Sequence, residues 1–216
     1  LLHTASLVHD DVVDDAHERR GSLSVNALWN SKIAVLVGDY MLSRGMEICL
    51  AKSRYDMLEI VSKAVQSMSE GELLQLQKAR KMNIKEEDYY KIIRSKTAAL
   101  IAACTACGAK SVTDDVDIIQ LMRDFGENIG IAFQIKDDLL DYEQNGLTGK
   151  IIGNDIKERK ITLPMIYALE NASFSVKKHI LTIVRTKKKT KTEINEVIDF
   201  VKSSGGLEYT ENIMNQ

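Results

Sequence analysis

Two copies of one acidic pattern occur in this chain, each with carboxylates at positions i, i+1 and i+4. The copies consist of Asp10, Asp11 and Asp14, and of Asp137, Asp138 and Asp141. Residues three and four apart are neighbours on a helix, so each copy predicts three carboxylates on one side of a helix. Apolar residues surround both copies, and only cations can offset the repulsion and the lost hydration. Mg²⁺ fits, because it is usually held by a few carboxylates together with substrate phosphates.

Other interpretations of these and nearby residues are weaker. Most charge runs are solvated helix faces, but the recurrence of one pattern in two apolar segments favours paired metal-binding helices. The pair His9 and Asp10 would suit a metal hydrolase, although no further histidine recurs at ligand spacing. Cys104 and Cys107 form a C-x-x-C pattern in a small-residue stretch. We expect two buried thiols there rather than a zinc or redox site.

The composition predicts one all-α domain over residues 1–216. Hydrophobic residues make up 44% of the chain, and one proline and 12 glycines favour long helices over a strand-rich fold. The net charge of −2 gives no reason to expect nucleic-acid binding. No stretch reaches the roughly 18 apolar residues of a membrane span, and the three cysteines suit a reducing compartment. We therefore expect a cytoplasmic protein without a transmembrane segment.

Apolar periodicity and capping residues predict where the helices lie. The expected ranges are residues 1–16, 25–51 with an interruption at 38–40, 55–78, 86–110, 114–142, a helix starting at Thr162 to Pro164, and amphipathic helices over 177–216. Gly126 and Gly130, four residues apart, permit close helix packing. Residues 144–160 carry three glycines among basic residues, so we expect a mobile basic loop there.

Basic residues follow both acidic patterns. Arg19 and Arg20 lie just past the first copy, and Lys150 and Lys160 lie in the loop after the second; Lys96 is expected near the second copy in space. Arginine binds oxyanions through paired hydrogen bonds, and Mg²⁺ held by aspartates seeks phosphate oxygens. Acids for a metal and bases for phosphate together predict a polyphosphorylated substrate.

The chain resembles the trans-isoprenyl diphosphate synthases (polyprenyl synthetases), especially their long-chain members, over residues 1 to about 170. The matching strings, in the family's order, are residues 2–14 (LHTASLVHDDVVD), 19–21 (RRG), 38–40 (GDY), 71–75 (GELLQ), 96–98 (KTA), 132–141 (AFQIKDDLLD) and the segment from Gly149 through Asp155 to Lys160. No single string is specific, but the set is. The resemblance implies an antiparallel helix bundle of the isoprenoid synthase type around a deep central cavity.

The resemblance also implies residue roles. Asp10, Asp11 and Asp14 would bind metal on one side of the cavity mouth, and Asp137, assisted by Asp138 and Asp141, on the other, with three Mg²⁺ per active site. An allylic diphosphate would be held by Arg19, Lys96 and Lys160. Arg20 would bind isopentenyl diphosphate, and Lys150 would contact substrate. The site near the reacting carbons would be lined by Thr97 and Gln134. The implied reaction is ionisation of the allylic C–O bond, attack by the isopentenyl double bond and loss of a proton, repeated in a homodimeric enzyme.

Two small residues before the first acidic pattern bear on product length. Ala5 and Ser6 lie five and four residues before Asp10. Short-chain members of the family place bulky aromatic residues there as a floor, so the resemblance implies an open tunnel. An aromatic ring there would stop the growing chain, because a packed tunnel cannot hold both a ring and a chain. With small residues instead, we expect a long all-trans product of about eight isoprene units (about C40), whose usual use is as a quinone side chain.

The resemblance has one departure and leaves two alternatives. The family's helices before the first pattern, with a Gly-Lys-x-x-Arg string and a histidine, are absent and the tail stops early, so we expect a part of a longer protein. A class I terpene cyclase shares the first aspartate pattern but usually has a second motif of the Asn/Ser/Glu type. A non-catalytic subunit of a heteromeric prenyl synthase tends to lose the aspartates, which are all present here.

Overall fold

The structure, a computed structural model, describes residues 1–19, 21–143 and 152–216, and these residues are almost entirely helical. The all-α prediction is therefore confirmed. The chain divides into two compact units, Leu1–Ser62 and Lys63–Gln216. Each unit is described in turn.

The first unit contains a helix, a short hairpin and two further helices. Its elements are α1 (Leu2–Val13), β1 (Glu18–Arg19), β2 (Ser22–Leu23), α2 (Val25–Trp29), α3 (Ser31–Ala51) and the start of α4 (Tyr55–Lys81). Glycines let α1 and α3 approach closely. A Cβ added to Gly38 would lie 2.3 Å from His9 Nε2, and one added to Gly45 would lie 3.4 Å from the Leu2 side chain.

The break between α2 and α3 lies at Asn30, not at residues 38–40 as the sequence predicted. Asn30 has a φ of +96°, and its side chain accepts hydrogen bonds from Lys32 N at 3.0 Å and Ile33 N at 3.2 Å. Asparagine tolerates positive φ and caps helices well, which explains the break. Residues 38–40 are helical, and Gly38 makes room for the His9 side chain without ending the helix.

The second unit contains the remaining helices and the main core. After α4 come α5 (Glu86–Ile93), a π-helical turn (Arg94–Ala98), α6 (Ala99–Lys110), α7 (Val116–Leu140), α8 (Asn154–Lys157), α9 (Leu163–Glu170), α10 (Phe174–Arg185), α11 (Lys191–Ser203) and α12 (Gly206–Met214). Six of the eight residues of α9 are buried, so it is the central helix of this core. Pro164 lies in its first turn, as expected, because that position needs no backbone N–H.

Glycines on α7 bring it close to the preceding helices, as the sequence predicted. A Cβ on Gly126 would lie 2.8 Å from Ala102 Cα, and one on Gly130 would lie 2.5 Å from Ala98 Cα. The Asp115 side chain caps α7 by accepting from Asp117 N at 2.9 Å. These contacts fix the direction in which the C-terminal end of α7 presents the second acidic pattern.

Three local predictions need correction. The loop expected over residues 144–160 contains α8, whose Ile156 is buried; residues 144–151 lie outside the described part of the chain. The thiols expected to be buried are not, since Cys104 is exposed and Cys107 is half-buried. The alanines of α6 occupy its buried side instead. Helix α1 ends at Val13 rather than at Ala16.

One helical stretch, Glu86–Lys110, is long and apolar enough by composition to cross a membrane, among the described residues. Its small residues pack against α7, as the contacts of Gly126 and Gly130 show. A core helix of a soluble protein meets the same criteria. The stretch is therefore weak support for a membrane span.

Replacement of Gly130 by valine should destabilise the fold, because the added atoms collide with the Ala98 backbone. We expect the free energy of unfolding to fall by about 1–3 kcal/mol, as is usual for overpacking. Chemical denaturation measures this. Gly108→Ala in α6 is the matched control, since its new Cβ meets nothing within 4 Å and alanine favours helix. Equal losses in the two variants would contradict the packing argument.

Candidate active site

The first acidic pattern ends α1. Asp10 and Asp11 lie in its last turn, and Asp14 is its C-cap residue. The C-terminal end of a helix carries partial negative charge, which makes carboxylates there unfavourable. Asp10 is half-buried and Asp14 is exposed, so both can meet a cation from solvent.

Asp11 has a different environment from its two neighbours in the pattern. It is only 4% exposed, and its Oδ1 accepts from Arg19 Nε and Nη2, both at 2.7 Å. The hairpin of β1 and β2 places Arg19 beside the helix end, with Arg19 paired to Ser22. Asp11 and Arg19 thus neutralise each other, and their expected roles in binding metal and diphosphate stay predictions. The other guanidinium N–H donors of Arg19 remain for an anion.

Buried polar side chains that the sequence did not single out hold the segment after α1. Ser24 Oγ donates to Ala16 O at 2.7 Å, and Asn26 Nδ2 donates to Asp11 O at 3.4 Å. Ser31 Oγ in turn donates to Asn26 Oδ1 at 2.8 Å. This network fixes the backbone of Asp11 from outside its helix.

His9 is close to a carboxylate but does not suit a hydrolytic metal centre. Its Nε2 lies 3.2 Å from Asp39 Oδ1 and 3.3 Å from Val35 O. Gly38 leaves the space that the imidazole ring occupies. The contact links α1 to α3, which explains why residues 38–40 accompany the first acidic pattern.

The second acidic pattern ends α7 in the same way. Asp137 is half-buried, Asp138 and Asp141 are both 3% exposed, and Asp141 is the C-cap residue. Asp138 Oδ2 accepts from Tyr89 Oη at 2.7 Å, and its Oδ1 accepts from Gln134 Nε2 at 2.9 Å. Both oxygens therefore accept hydrogen bonds from the protein, and the expected assistance of Asp138 in metal binding stays a prediction.

Thr97 and Gln134, both expected near the reacting carbons, are brought together by the fold. Thr97 Oγ1 donates to Gln134 Oε1 at 2.7 Å, and Gln134 then donates to Asp138. The chain of hydrogen bonds runs from the π-helical turn to α7 and on to Tyr89 of α5. Burial and the nearby Asp138 carboxylate raise the pKa of Tyr89, so its hydroxyl stays a donor.

Asp141 accepts hydrogen bonds from the first turn of a helix. Its Oδ1 accepts from Asn154 N at 3.0 Å, its Oδ2 accepts from Asp155 N at 3.2 Å, and its carbonyl accepts from Gly153 N at 2.9 Å. These bonds attach the short helix α8 to the end of α7. The expected assistance of Asp141 in metal binding stays a prediction.

Asp155 is a site residue to which the sequence reasoning assigned no role. Burial and the carboxylates of Asp141 and Asp138 raise its pKa to about 8, against a smaller opposite effect of Lys160. The nearby carboxylates of Asp138 and Asp141 thus disfavour a further negative charge on Asp155, and a cation close to the three groups would favour that charge again. The resemblance string that ends at Lys160 contained Asp155 and was the available signal.

Three of the basic residues predicted to bind phosphate lie near a carboxylate. Lys96 Nζ lies 2.5 Å from Glu72 Oε2, and Lys160 Nζ lies 2.6 Å from Glu158 Oε2. Arg19 pairs with Asp11, as described above. Arg20 and Lys150 lie outside the described residues.

Comparisons with known proteins identify the family. The polyprenyl synthetase family model matches residues 1–201. The chain belongs to this family.

Individual relatives agree with the family assignment. Octaprenyl diphosphate synthase from Escherichia coli is 35% identical over 211 residues, which are 97% of this chain and 65% of the relative. All-trans-nonaprenyl-diphosphate synthase from Rhodobacter capsulatus is 39% identical, over 97% of this chain and 64% of the relative. The chain thus spans about two thirds of these relatives, or slightly less.

A solved structure extends the likeness to the fold. Polyprenyl synthase from Caulobacter crescentus, crystallised with calcium and isoprenyl diphosphate, matches with a TM-score of 0.90 and 35% identity. The match covers 99% of this chain and 66% of that one. The polyprenyl synthetase fold is therefore shown for this chain.

The acids of this polyprenyl synthetase suit a magnesium site that substrate completes. Among the described residues, no group of three or more histidines, cysteines or acids is arranged to hold a metal by itself. Mg²⁺ usually keeps several waters and takes one or two carboxylates plus substrate phosphates. At the end of α1, Asp10 and Asp14 are accessible to solvent and suit such a donor set, and at the end of α7 the half-buried Asp137 does so separately.

The two positions expected to control product length differ in exposure. Ala5 is 1% exposed, whereas Ser6 is half-buried and donates from Oγ to His3 O at 2.8 Å. Ala5 lies on the packed side of α1, with Leu2 and His9 that contact α3. Ser6 is therefore the more accessible of the two.

Loss of the Tyr89 hydroxyl should destabilise this polyprenyl synthetase by about 1–3 kcal/mol, the usual cost of a missing partner for a buried charged group. Tyr89→Phe removes a donor to buried Asp138 Oδ2. Urea denaturation measures the change. Tyr90→Phe is the matched control, because Tyr90 is half-buried and its hydroxyl does not contact Asp138. A loss no larger than that of the control would contradict the supporting role of Tyr89.

Proposed function

We propose that the protein is a Mg²⁺-dependent prenyltransferase that condenses an allylic diphosphate with isopentenyl diphosphate repeatedly. Membership of the polyprenyl synthetase family supports this class of reaction. The observation that carries the proposal is an arrangement that recurs at both acidic patterns. In each, the second aspartate is buried and bonded within the protein, while the first is half-buried at a helix C-terminus. In both patterns the first carboxylate is thus more accessible to a cation from solvent than the second.

The product is proposed to be a long all-trans polyprenyl diphosphate of octaprenyl length, used for quinone side chains. The names of relatives support a long product but vary, from heptaprenyl diphosphate synthase component 2 of Bacillus subtilis to the nonaprenyl synthase of Rhodobacter capsulatus. A short-chain synthase from Methanothermobacter thermautotrophicus is also 36% identical. Small side chains at Ala5 and Ser6 favour the long-chain reading. That the enzyme is homodimeric and cytoplasmic stays a prediction.

The side chains of this protein would bind and orient the substrate diphosphate. Lys96, Lys160 and Arg19 would donate hydrogen bonds to the allylic diphosphate and stabilise the negative charge that grows as its C–O bond breaks. Mg²⁺, held by Asp10, Asp14 and Asp137, would supply further positive charge to the departing diphosphate. Thr97 and Gln134, fixed to each other, would border the allylic carbons. Attack by the isopentenyl double bond and loss of a proton complete one elongation.

The test is incubation of the protein with Mg²⁺, radiolabelled isopentenyl diphosphate and an allylic diphosphate, followed by chromatography of the products. A series of linear polyprenyl diphosphates supports the proposal. A cyclic hydrocarbon would instead show a terpene cyclase. No product, from protein that is folded by circular dichroism, would favour a non-catalytic subunit.

Mg²⁺ and diphosphate should bind cooperatively. The carboxylates repel one another without metal, and metal without phosphate leaves coordination positions to water. Calorimetric titration of Mg²⁺ with and without inorganic diphosphate measures this. Asp137→Ala should abolish the cooperativity, whereas Asp117→Asn, an exposed acid in the first turn of the same helix, should keep it. Equal Mg²⁺ affinity with and without diphosphate would contradict the proposal.

A phenylalanine at the tunnel positions should shorten the product while elongation continues. Ala5→Phe tests the position that the resemblance names, but Ala5 is buried, so overpacking of about 1–3 kcal/mol is expected. Ser6→Phe places the same ring at the half-buried neighbour at lower cost. Product chromatography should show both variants stopping several isoprene units early. If folded variants still make the wild-type length, the floor lies elsewhere.

A further inference from the structure

Glu72 and Lys96 form an ion pair in which both charged side chains have unusually little exposure to solvent. The Glu72 side chain is 15% exposed and that of Lys96 is 22% exposed, and Nζ lies 2.5 Å from Oε2. Both carboxylate oxygens are buried, and neither has a hydrogen-bond partner of standard geometry among the described residues. The ammonium of Lys96 is therefore the group that balances this carboxylate.

The backbone around the pair is shaped to bring it together. Lys96 lies in the π-helical turn Arg94–Ala98, and π-helical turns occur frequently at functional sites. Glu72 follows Gly71, where an added Cβ would lie 2.8 Å from Ser95 Cβ and 3.0 Å from Lys96 N. Only glycine lets α4 approach the turn this closely, so the contact depends on features of both elements.

Stability alone does not explain this pair. Burial of two charges costs hydration that their attraction barely repays, and apolar replacements are often as stable. A buried acceptor without a full set of partners calls for another explanation, such as a role in catalysis. The residue after Lys96, Thr97, is bonded to Gln134, which is bonded to Asp138 of the second acidic pattern. The π-helical turn thus connects the ion pair to the proposed active site.

We propose that Glu72 is a positioning residue, which fixes the Lys96 ammonium so that its remaining N–H donors face the substrate diphosphate. The inference rests on the proposed function, in which Lys96 binds that diphosphate. An ammonium has three donors, so one can remain on Glu72 while the others reach phosphate oxygens. A donor held in place before the reaction loses no entropy when charge develops on the leaving group.

A double-mutant cycle tests the inference. Glu72→Met, Lys96→Met and the double variant are compared with wild type for kcat, KM of the allylic diphosphate and binding of inorganic diphosphate with Mg²⁺. If Glu72 acts through Lys96, Glu72→Met should lower kcat/KM by about ten- to a hundredfold, as misplacement of a catalytic group does. The double variant should then be within about twofold of Lys96→Met alone.

Two further variants separate positioning from general damage. Glu72→Gln keeps an acceptor for Lys96, so it should recover most of kcat, while inorganic diphosphate binds more tightly because the charge of Lys96 is no longer balanced. Glu70→Met changes an exposed acid of the same helix, which pairs with Gln66, and should leave all parameters unchanged. Thermal unfolding confirms that each variant is folded.

The outcomes distinguish this inference from the proposed function. Additive losses in the cycle, or a Glu72→Gln variant no better than Glu72→Met, overturn the positioning role while elongation by wild type stands. Absence of elongation by wild type would instead overturn the proposed function. The diphosphate-binding measurements still report on Glu72 and Lys96 in that case, since they need no turnover.

Discussion

The repulsion among the carboxylates within each acidic pattern, at the C-terminal end of its own helix, is the constraint on which the rest of this structure depends. Each acidic pattern adds charge where the helix dipole is already negative. The protein relieves part of that charge internally. Arg19 pairs with Asp11, Tyr89 and Gln134 donate to Asp138, and the backbone of α8 donates to Asp141. Asp10, Asp14 and Asp137 are more exposed than Asp11, Asp138 and Asp141, so a divalent cation from solvent can reach them more easily.

Features that depend on local spacing could be predicted from the sequence. Helical periodicity gave the all-α class and most helices, and the spacing of Gly126 and Gly130 predicted their close packing. The predicted helix interruption at Gly38 was wrong for a physical reason. A glycine shows that a Cβ is absent, but not whether the absence serves a turn or a neighbour. Here the neighbour is His9, and the helix continues through Gly38.

Which of the six aspartates are buried and hydrogen-bonded could not be predicted, because this depends on partners distant in sequence. Tyr89 is 49 residues from Asp138, and Arg19 reaches Asp11 only through a two-stranded hairpin. An i, i+1, i+4 pattern predicts that carboxylates share a helix side, but not which of them is buried against a donor. Asp11 and Asp138, at equivalent positions of the two patterns, are buried against different donors. No local sequence feature common to both patterns therefore predicts their burial.

If the protein binds a diphosphate as proposed, the pairing of its basic residues affects the order in which metal and diphosphate bind. Lys96, Lys160 and Arg19 each face a carboxylate, so little net positive charge is available to attract a free diphosphate. A diphosphate that enters alone would bring more negative charge to carboxylates that already repel one another. A diphosphate that enters with divalent cations leaves the local charge nearly unchanged, because the cations also neutralise the accessible aspartates. The pairing of the cations thus supports the proposed cooperativity, in which metal and phosphate would each create the binding conditions for the other.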